Sequence, residues 1–245
     1  MSQAYAALRE EAGHGETDAF VPSEFPHGRR YDRVVAISRS GTTTEVLRFL
    51  VATDLPTVAI TAVPGSPIAE AAGDAILIPF ADERSVVQTR SATSALALLR
   101  AGLGADLGPA AADAERALAA PLPGDAARHD HFVFLGHGWS VGLANEAALK
   151  LRETSLTPAE SYPAMEYRHG PMSLAGERTL VWILGTSDPA IADDVRATGA
   201  TVREGTFDPM AEIVLVHRLA LALAAARGVD PDNPRHLSRS IVLPG

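Results

Sequence analysis

An α/β fold with parallel sheets is the class this sequence predicts, on three observations. Apolar, β-branched runs recur from one end of the chain to the other: RVVAIS, PTVAITAV, DAILIPF, HFVFLGHG and TLVWILG. Gly, Pro, Asp or Ser bounds each run, and helical patterns separate them. Short apolar runs alternating with helices mark βαβ units whose sheets are covered on both faces.

The elements follow in order. The chain opens in a helical pattern, SQAYAALREEAGH. The strand RVVAIS then breaks at Ser38, Arg39, Ser40, Gly41, Thr42, Thr43 and Thr44, before Val46, Leu47, Phe49 and Leu50 resume at helical spacing. One N-cap requires one hydroxyl. Five hydroxyls and a glycine exceed that need, and a helix N-terminus offers unpaired N–H groups and partial positive charge. The turn is therefore read as an anion site with phosphate or a phosphosugar as its ligand. After PTVAITAV and DAILIPF, residues 85–103 and 109–120 read as two Ala/Leu-rich helices. PLPGDAARHD, 121–130, reads as a linker, with a domain boundary near Gly124.

The second half partly repeats the first: LVWILGTSDP at 180–189 has the form of VVAISRSGTT. FVFLGHGWSVGLANEAALKL, 132–151, is a strand, a G-x-G-x-S turn and a helix, the context in which glycines let backbone approach a ligand. That helix, about 142–154, puts Leu143, Ala147 and Leu151 on one face and Glu146, Lys150 and Glu153 on another. A Glu four residues before a Lys is also the ordinary pair of a solvated face, contributing ~0.3 kcal/mol. The helix nevertheless follows a glycine turn at the carboxyl end of a strand, where open α/β sheets place ligands. TPAESYPAMEYRHGPMSLAG then reads as a long irregular connection carrying His169.

Composition narrows the function classes. At 245 residues the chain can bury a sizeable core and form one large or two small domains. A formal charge of −9 without a Lys/Arg cluster argues against nucleic acid. Neither a run of ~18 apolar residues nor a signal-like N-terminus is read, so the expectation is a cytoplasmic protein without membrane contact. Zero cysteines exclude disulfides, thiolate metal sites and a cysteine nucleophile.

SRSGTTTE at 38–45, EAALKLRE at 146–153 and AESYPAMEYRHGP at 159–171 together resemble the sugar isomerase (SIS) domain family. The likeness runs from about residue 20 to the C-terminus. It points to double-SIS proteins such as the isomerase half of glucosamine-6-phosphate synthase and the tagatose/galactosamine-6-phosphate isomerases and deaminases. The resemblance implies two SIS-type three-layer αβα units with parallel sheets, 1–124 and 125–245. It also implies that Ser38, Ser40 and Thr43, with the backbone of Arg39, cradle phosphate, and that Val87 and Thr89 lie near the sugar. Glu153 falls on the carboxylate that moves a proton between C1 and C2, with Lys150 the neighbouring cation and Glu146 starting the same face. His169 falls on the ring-opening histidine, which in this family can reach the site from a partner subunit. A homodimer acting on a small-molecule sugar phosphate, with no metal or organic cofactor, is implied.

The chain also departs from the pattern. In the amidotransferase members a tail lysine forms a Schiff base with the ketose, whereas PRHLSRSIVL carries Arg239, which stays protonated and cannot form that imine. No glutaminase half accompanies this sequence and no cysteine could serve one, so glutamine amidotransfer is not expected. The first SIS strand and its G-x-G-x-S turn are missing, because the chain opens at Met1-Ser2-Gln3 within the following helix. The expectation is that this start is internal to a longer protein; a genuinely shortened protein is the alternative. For function, the expectation is a phosphosugar isomerase or amino-sugar-phosphate deaminase/isomerase. A non-catalytic phosphosugar sensor is the alternative, although binding alone needs neither Glu153 nor His169.

Overall fold

A computed structural model describes residues 1–123 and 126–243. Eight α-helices occur among the described residues: α1 (Ser2–Glu11), α2 (Thr44–Ala52), α3 (Pro67–Ala71), α4 (Arg90–Gly102), α5 (Gly108–Ala119), α6 (Ser140–Ser155), α7 (Pro189–Ala197) and α8 (Pro209–Arg227). They surround two parallel sheets. The first contains β1 (Val34–Ile37), β2 (Thr57–Thr61) and β3 (Asp74–Leu77), in that spatial order. The second contains β4 (His131–Gly136), β5 (Ala159–Pro163), β6 (Thr179–Leu184) and β7 (Thr201–Glu204), in the order β5-β4-β6-β7.

The five apolar runs form β1, β2, β3, β4 and β6, and all pairings are parallel. Burial on both faces explains why β4 and β6 read as continuous rather than alternating, whereas Ile76 and Leu77 of β3 are exposed. In the second sheet Phe132, Phe134, Leu180 and Trp182 pack with Leu143, Leu151 and Leu219 on one side. Val133, Leu135, Val181 and Ile183 pack with Ile191 and Val195 of α7 on the other. The first sheet is likewise covered by α4 through Ala95 and Leu99, and by α2 and α3 through Leu50 and Ile68.

Two strands have no sequence counterpart. The connection read as irregular begins with β5, whose residues pair with β4 from Phe132–Ala159 to Gly136–Pro163. Preceded by Pro158, ending on Pro163 and lacking β-branched residues, β5 owes its conformation to that pairing. β7, TVRE, is a polar edge strand held by β6 alone. Within the first sheet β1 bonds only to β2, and no strand among the described residues lies along its other edge or within 12–33.

The boundary expected at Gly124 lies outside the described residues. The helices on either side of it pack together: Arg218 of α8 donates to the carbonyls of Ala117, at 2.8 Å, and Ala120. Ala4 of α1, Leu96 of α4 and Ala117 of α5 join the core of the second sheet. Helix α8 is long and apolar enough to cross a membrane by length and composition, with a mean hydropathy of 1.6, a signal the ~18-residue criterion did not pick up. It packs on α6 and α5, and its fully buried Glu212 accepts from Trp182 Nε1 at 3.1 Å and from the amides of Thr206 and Phe207 at 2.7 and 3.1 Å. A satisfied buried carboxylate and packing on two helices make it a core helix.

Helix α6, which carries the charged stripe, is positioned by α1 at Gly142. A Cβ there would lie 2.5 Å from Ala4 N and 3.0 Å from its Cα. Gly142→Ala would gain about 1 kcal/mol of helix propensity but lose about 1–3 kcal/mol to overpacking against backbone that cannot rotate away. The expected outcome is a melting temperature lower by a few degrees on thermal denaturation; an equal or higher value would show that α1 yields freely.

Candidate functional site

The hydroxyl-rich turn is fixed from below. Ser38 N donates to Ile60 O at 3.0 Å, and Arg39 O accepts from Ala62 N at 3.1 Å and Thr61 Oγ1 at 3.2 Å. Gly41 has φ +65°, and a Cβ there would fall 2.0 Å from Ser66 Oγ, so both backbone and space require glycine. No hydroxyl caps α2. They bond one another instead: Ser38 Oγ and Thr43 Oγ1 are 3.3 Å apart, and Thr42 Oγ1 donates to Ser40 Oγ at 3.0 Å.

Across a cleft of about 320 Å³ stands α6. It starts at the G-x-G-x-S turn beyond β4, where the strand order reverses between β5 and β6. Leu143, Ala147 and Leu151 are fully buried in the core, so the 3.6-residue period turns the charged stripe outward into the cleft. Lys150 is 4% exposed; its Nζ lies 2.7 Å from Glu153 Oε2 and 3.4 Å from Glu146 Oε1. Such a group is ionic, water-poor and able to exchange a proton with a ligand lying against it.

Glu146, Lys150, Glu153, Thr43 and Arg239 share this cleft. Ser38, Arg39 and Ser40 are buried in the turn beside it. Val87 is in the core, and the amide and hydroxyl of Thr89 both donate to Glu83, which caps α4; Val86, Gln88 and Ala92 form the wall instead. Arg239 donates to Asp82 and to the carbonyl of Glu83. His169 is exposed on the β5–β6 connection and does not line the cleft of its own chain.

Around Arg239, sequence reasoning missed the rest of the tail wall, Leu237, Ser238, Ser240 and Ile241, and, outside the cleft lining, His217 of α8. Hydroxyls at 238 and 240 were the only local sign of the first. His217 has its Nε2 buried without a partner among the described residues. Burial, and secondarily the Lys150 charge, push its pKa down to about 4, against an opposing pull from Glu83. No group of three or more His, Asp or Glu side chains that could hold a metal ion occurs among the described residues.

A parallel α/β protein with an ionic stripe at the switch point and a hydroxyl turn facing it belongs to a recognisable class, and comparison with known proteins places it. Residues 127–192 match the family model of the SIS domain. The chain is 30% identical over 267 residues to a glutamine–fructose-6-phosphate aminotransferase (isomerizing) of Acidithiobacillus ferridurans, covering 86% of this chain and 44% of that protein. Its counterpart from Thermosynechococcus vestitus is 33% identical over 141 residues, 46% of this chain and 22% of that one. The chain thus spans less than half the length of these relatives. The crystal structure of a glucosamine-6-phosphate deaminase from Thermotoga maritima superposes with a TM-score of 0.86 at 27% identity, covering 98% of this chain and 86% of that one. A tagatose-6-phosphate ketose/aldose isomerase from Escherichia coli shares the fold, with a TM-score of 0.75 at 17% identity over 99% of this chain and 82% of that one. Residues 127–192 are thus an SIS domain.

His217, buried in α8 within reach of the Lys150 charge, gives the fold a pH signature. The unfolded chain takes up a proton at His217 near pH 6.5 and the folded chain only near 4, so stability is full above 6.5 and falls as pH drops through that window. The loss amounts to up to about 3 kcal/mol at the lower end. Urea unfolding at pH 7 and pH 4.5 should show a markedly smaller fall for His217→Gln than for the wild type; identical falls would place the acid sensitivity elsewhere.

Proposed function

We propose that the cleft binds a sugar 6-phosphate and interconverts aldose and ketose by proton transfer, as an isomerase or as an amino-sugar-phosphate deaminase/isomerase. The observation that carries this reading is the Glu146–Lys150–Glu153 stripe sharing one cleft with Thr43 of the hydroxyl turn. The 27%-identical deaminase fold and the isomerizing aminotransferase relatives support the substrate class.

On this reading Ser38, Ser40 and Thr43 donate to the phosphate at the α2 N-terminus, fixing the sugar so that C1 and C2 lie along α6. Glu153, as carboxylate, takes the proton from the carbon next to the carbonyl. The electron pair moves to the carbonyl oxygen, and the Lys150 ammonium stabilises the enediolate charge. Glu153 then returns the proton to the neighbouring carbon while the hydroxyl proton passes from that hydroxyl's oxygen to the enediolate oxygen, so that the carbonyl moves by one carbon and no proton is gained or lost. The exchange is internally redox-neutral and needs no metal or organic cofactor. Arg239, on the cleft wall, stays charged, so the chemistry runs without an imine to the protein. His169, exposed on its own chain, is proposed to open the sugar ring in the cleft of the second subunit of a cytoplasmic homodimer.

Two measurements test this. Ser38→Ala with Ser40→Ala should weaken calorimetric binding of fructose 6-phosphate or glucosamine 6-phosphate by tenfold or more, since each charge-assisted hydrogen bond is worth about 1.5–3 kcal/mol. Unchanged affinity would remove the cradle from the proposal. Glu153→Gln should leave binding nearly intact while abolishing deuterium incorporation from solvent at the carbon next to the carbonyl, because the amide cannot act as base. Exchange at the wild-type rate would move the base elsewhere, and tight binding without exchange in the wild type itself would favour a phosphosugar sensor.

A further inference from the structure

The side chain of Arg39 lies outside the backbone role that the resemblance implies. It is 3% exposed, among the most buried charged groups of the chain. Its Nη1 donates to Ser85 O and its Nη2 to Arg239 O at 2.9 Å, while its Nε is buried with no partner among the described residues. Both partners are main-chain carbonyls. One belongs to the segment that contributes Val86 and Gln88 to the cleft, the other to the tail that contributes Leu237 to Ile241.

We infer that Arg39 is a positioning residue: its buried guanidinium hangs the 82–90 segment and the 237–243 tail from the hydroxyl turn and so sets two walls of the cleft. The residue is suited to this because its own backbone is tied to the end of β2 through Ala62 N and Thr61 Oγ1, so the fork projects from a fixed point. A planar guanidinium can hold two carbonyls at once, whereas an ammonium is a point donor. The other tethers are weaker or more accessible to water. Arg239 reaches Asp82 with both side chains about 40% exposed. Thr42 Oγ1 donates to Ser240 Oγ at 2.9 Å, and Thr44 N to Ile241 O at 3.0 Å. The last contact matters for the cradle: one free N–H at the α2 N-terminus is already taken by the tail. The tail, the turn and the 82–90 segment therefore form one unit with Arg39 at its centre. Burial lowers the Arg39 pKa, Arg239 adds to this, and Glu83 and Asp82 oppose it, yet an arginine remains charged at neutral pH.

Hydrogen exchange followed by mass spectrometry on the full chain without ligand tests this independently of the function proposed for the cleft. In Arg39→Gln, exchange over 237–243 and 82–90 should accelerate by about tenfold or more, the loss of a buried charge-assisted tether, while β2, β4 and α6 exchange as in the wild type. Arg39→Lys should restore protection to one of the two segments or part of both. Wild-type exchange in both segments of Arg39→Gln, or acceleration spread evenly through the first sheet in both variants, would overturn the assignment. If Arg39→Gln does not fold, Arg39→Lys decides alone: loss of protection confined to the two segments upholds the inference, and unchanged protection refutes it.

Discussion

A buried ammonium needs partners, and Lys150 dictates much of what surrounds it. Desolvating an isolated charge costs several kcal/mol even after relaxation, which two carboxylates within 3.4 Å offset only if they too are held in place. Helix α6 holds them because Glu146, Lys150 and Glu153 fall on one face at spacings of four and three residues. The opposite face, Leu143, Ala147 and Leu151, is locked into the core of the second sheet. One helix thus anchors by its apolar side and presents charge by its other, and the cleft is the place where three charges can meet a little water or a polar ligand.

The rest of the cleft comes from distant parts of the chain. Thr43 comes from the β1–α2 turn, Val86 and Gln88 from the segment before α4, and Leu237 to Ile241 from the tail. Main-chain carbonyls, hydroxyls and two arginines hold them together, which suits walls that must admit a polar molecule.

The readability of this arrangement in the sequence followed from where each part gets its order. Continuous apolar runs gave β1, β2, β3, β4 and β6, and in β4 and β6 that run is the local signature of burial on both faces. β5 and β7 left none: AESYP and TVRE are strands only because β4 and β6 pair with them. The stripe on α6 was legible from its period and its position after a strand, and the hydroxyl turn from its excess of Ser and Thr. Gln88, the tail residues flanking Arg239, His217 and the Arg39 side chain were not legible. The Arg39 contacts, for example, span 46 and 200 residues, for which no local pattern exists. Val87 and Thr89 show the same limit at finer grain, since a single residue of rotation in the segment before α4 exchanges wall for core.

Among the described residues the hydroxyl turn hangs from β1, a strand of four residues bonded to one neighbour in a sheet of three. Short edge ladders open at low free-energy cost compared with the central strands of a larger sheet. A ligand that needs the turn in its closed shape binds only the closed fraction, so its observed affinity is the intrinsic one multiplied by that fraction. By the same linkage an anion bound there tightens the β1–β2 ladder, making the order of the first sheet a function of ligand concentration while the second sheet, packed on both faces, stays indifferent to it.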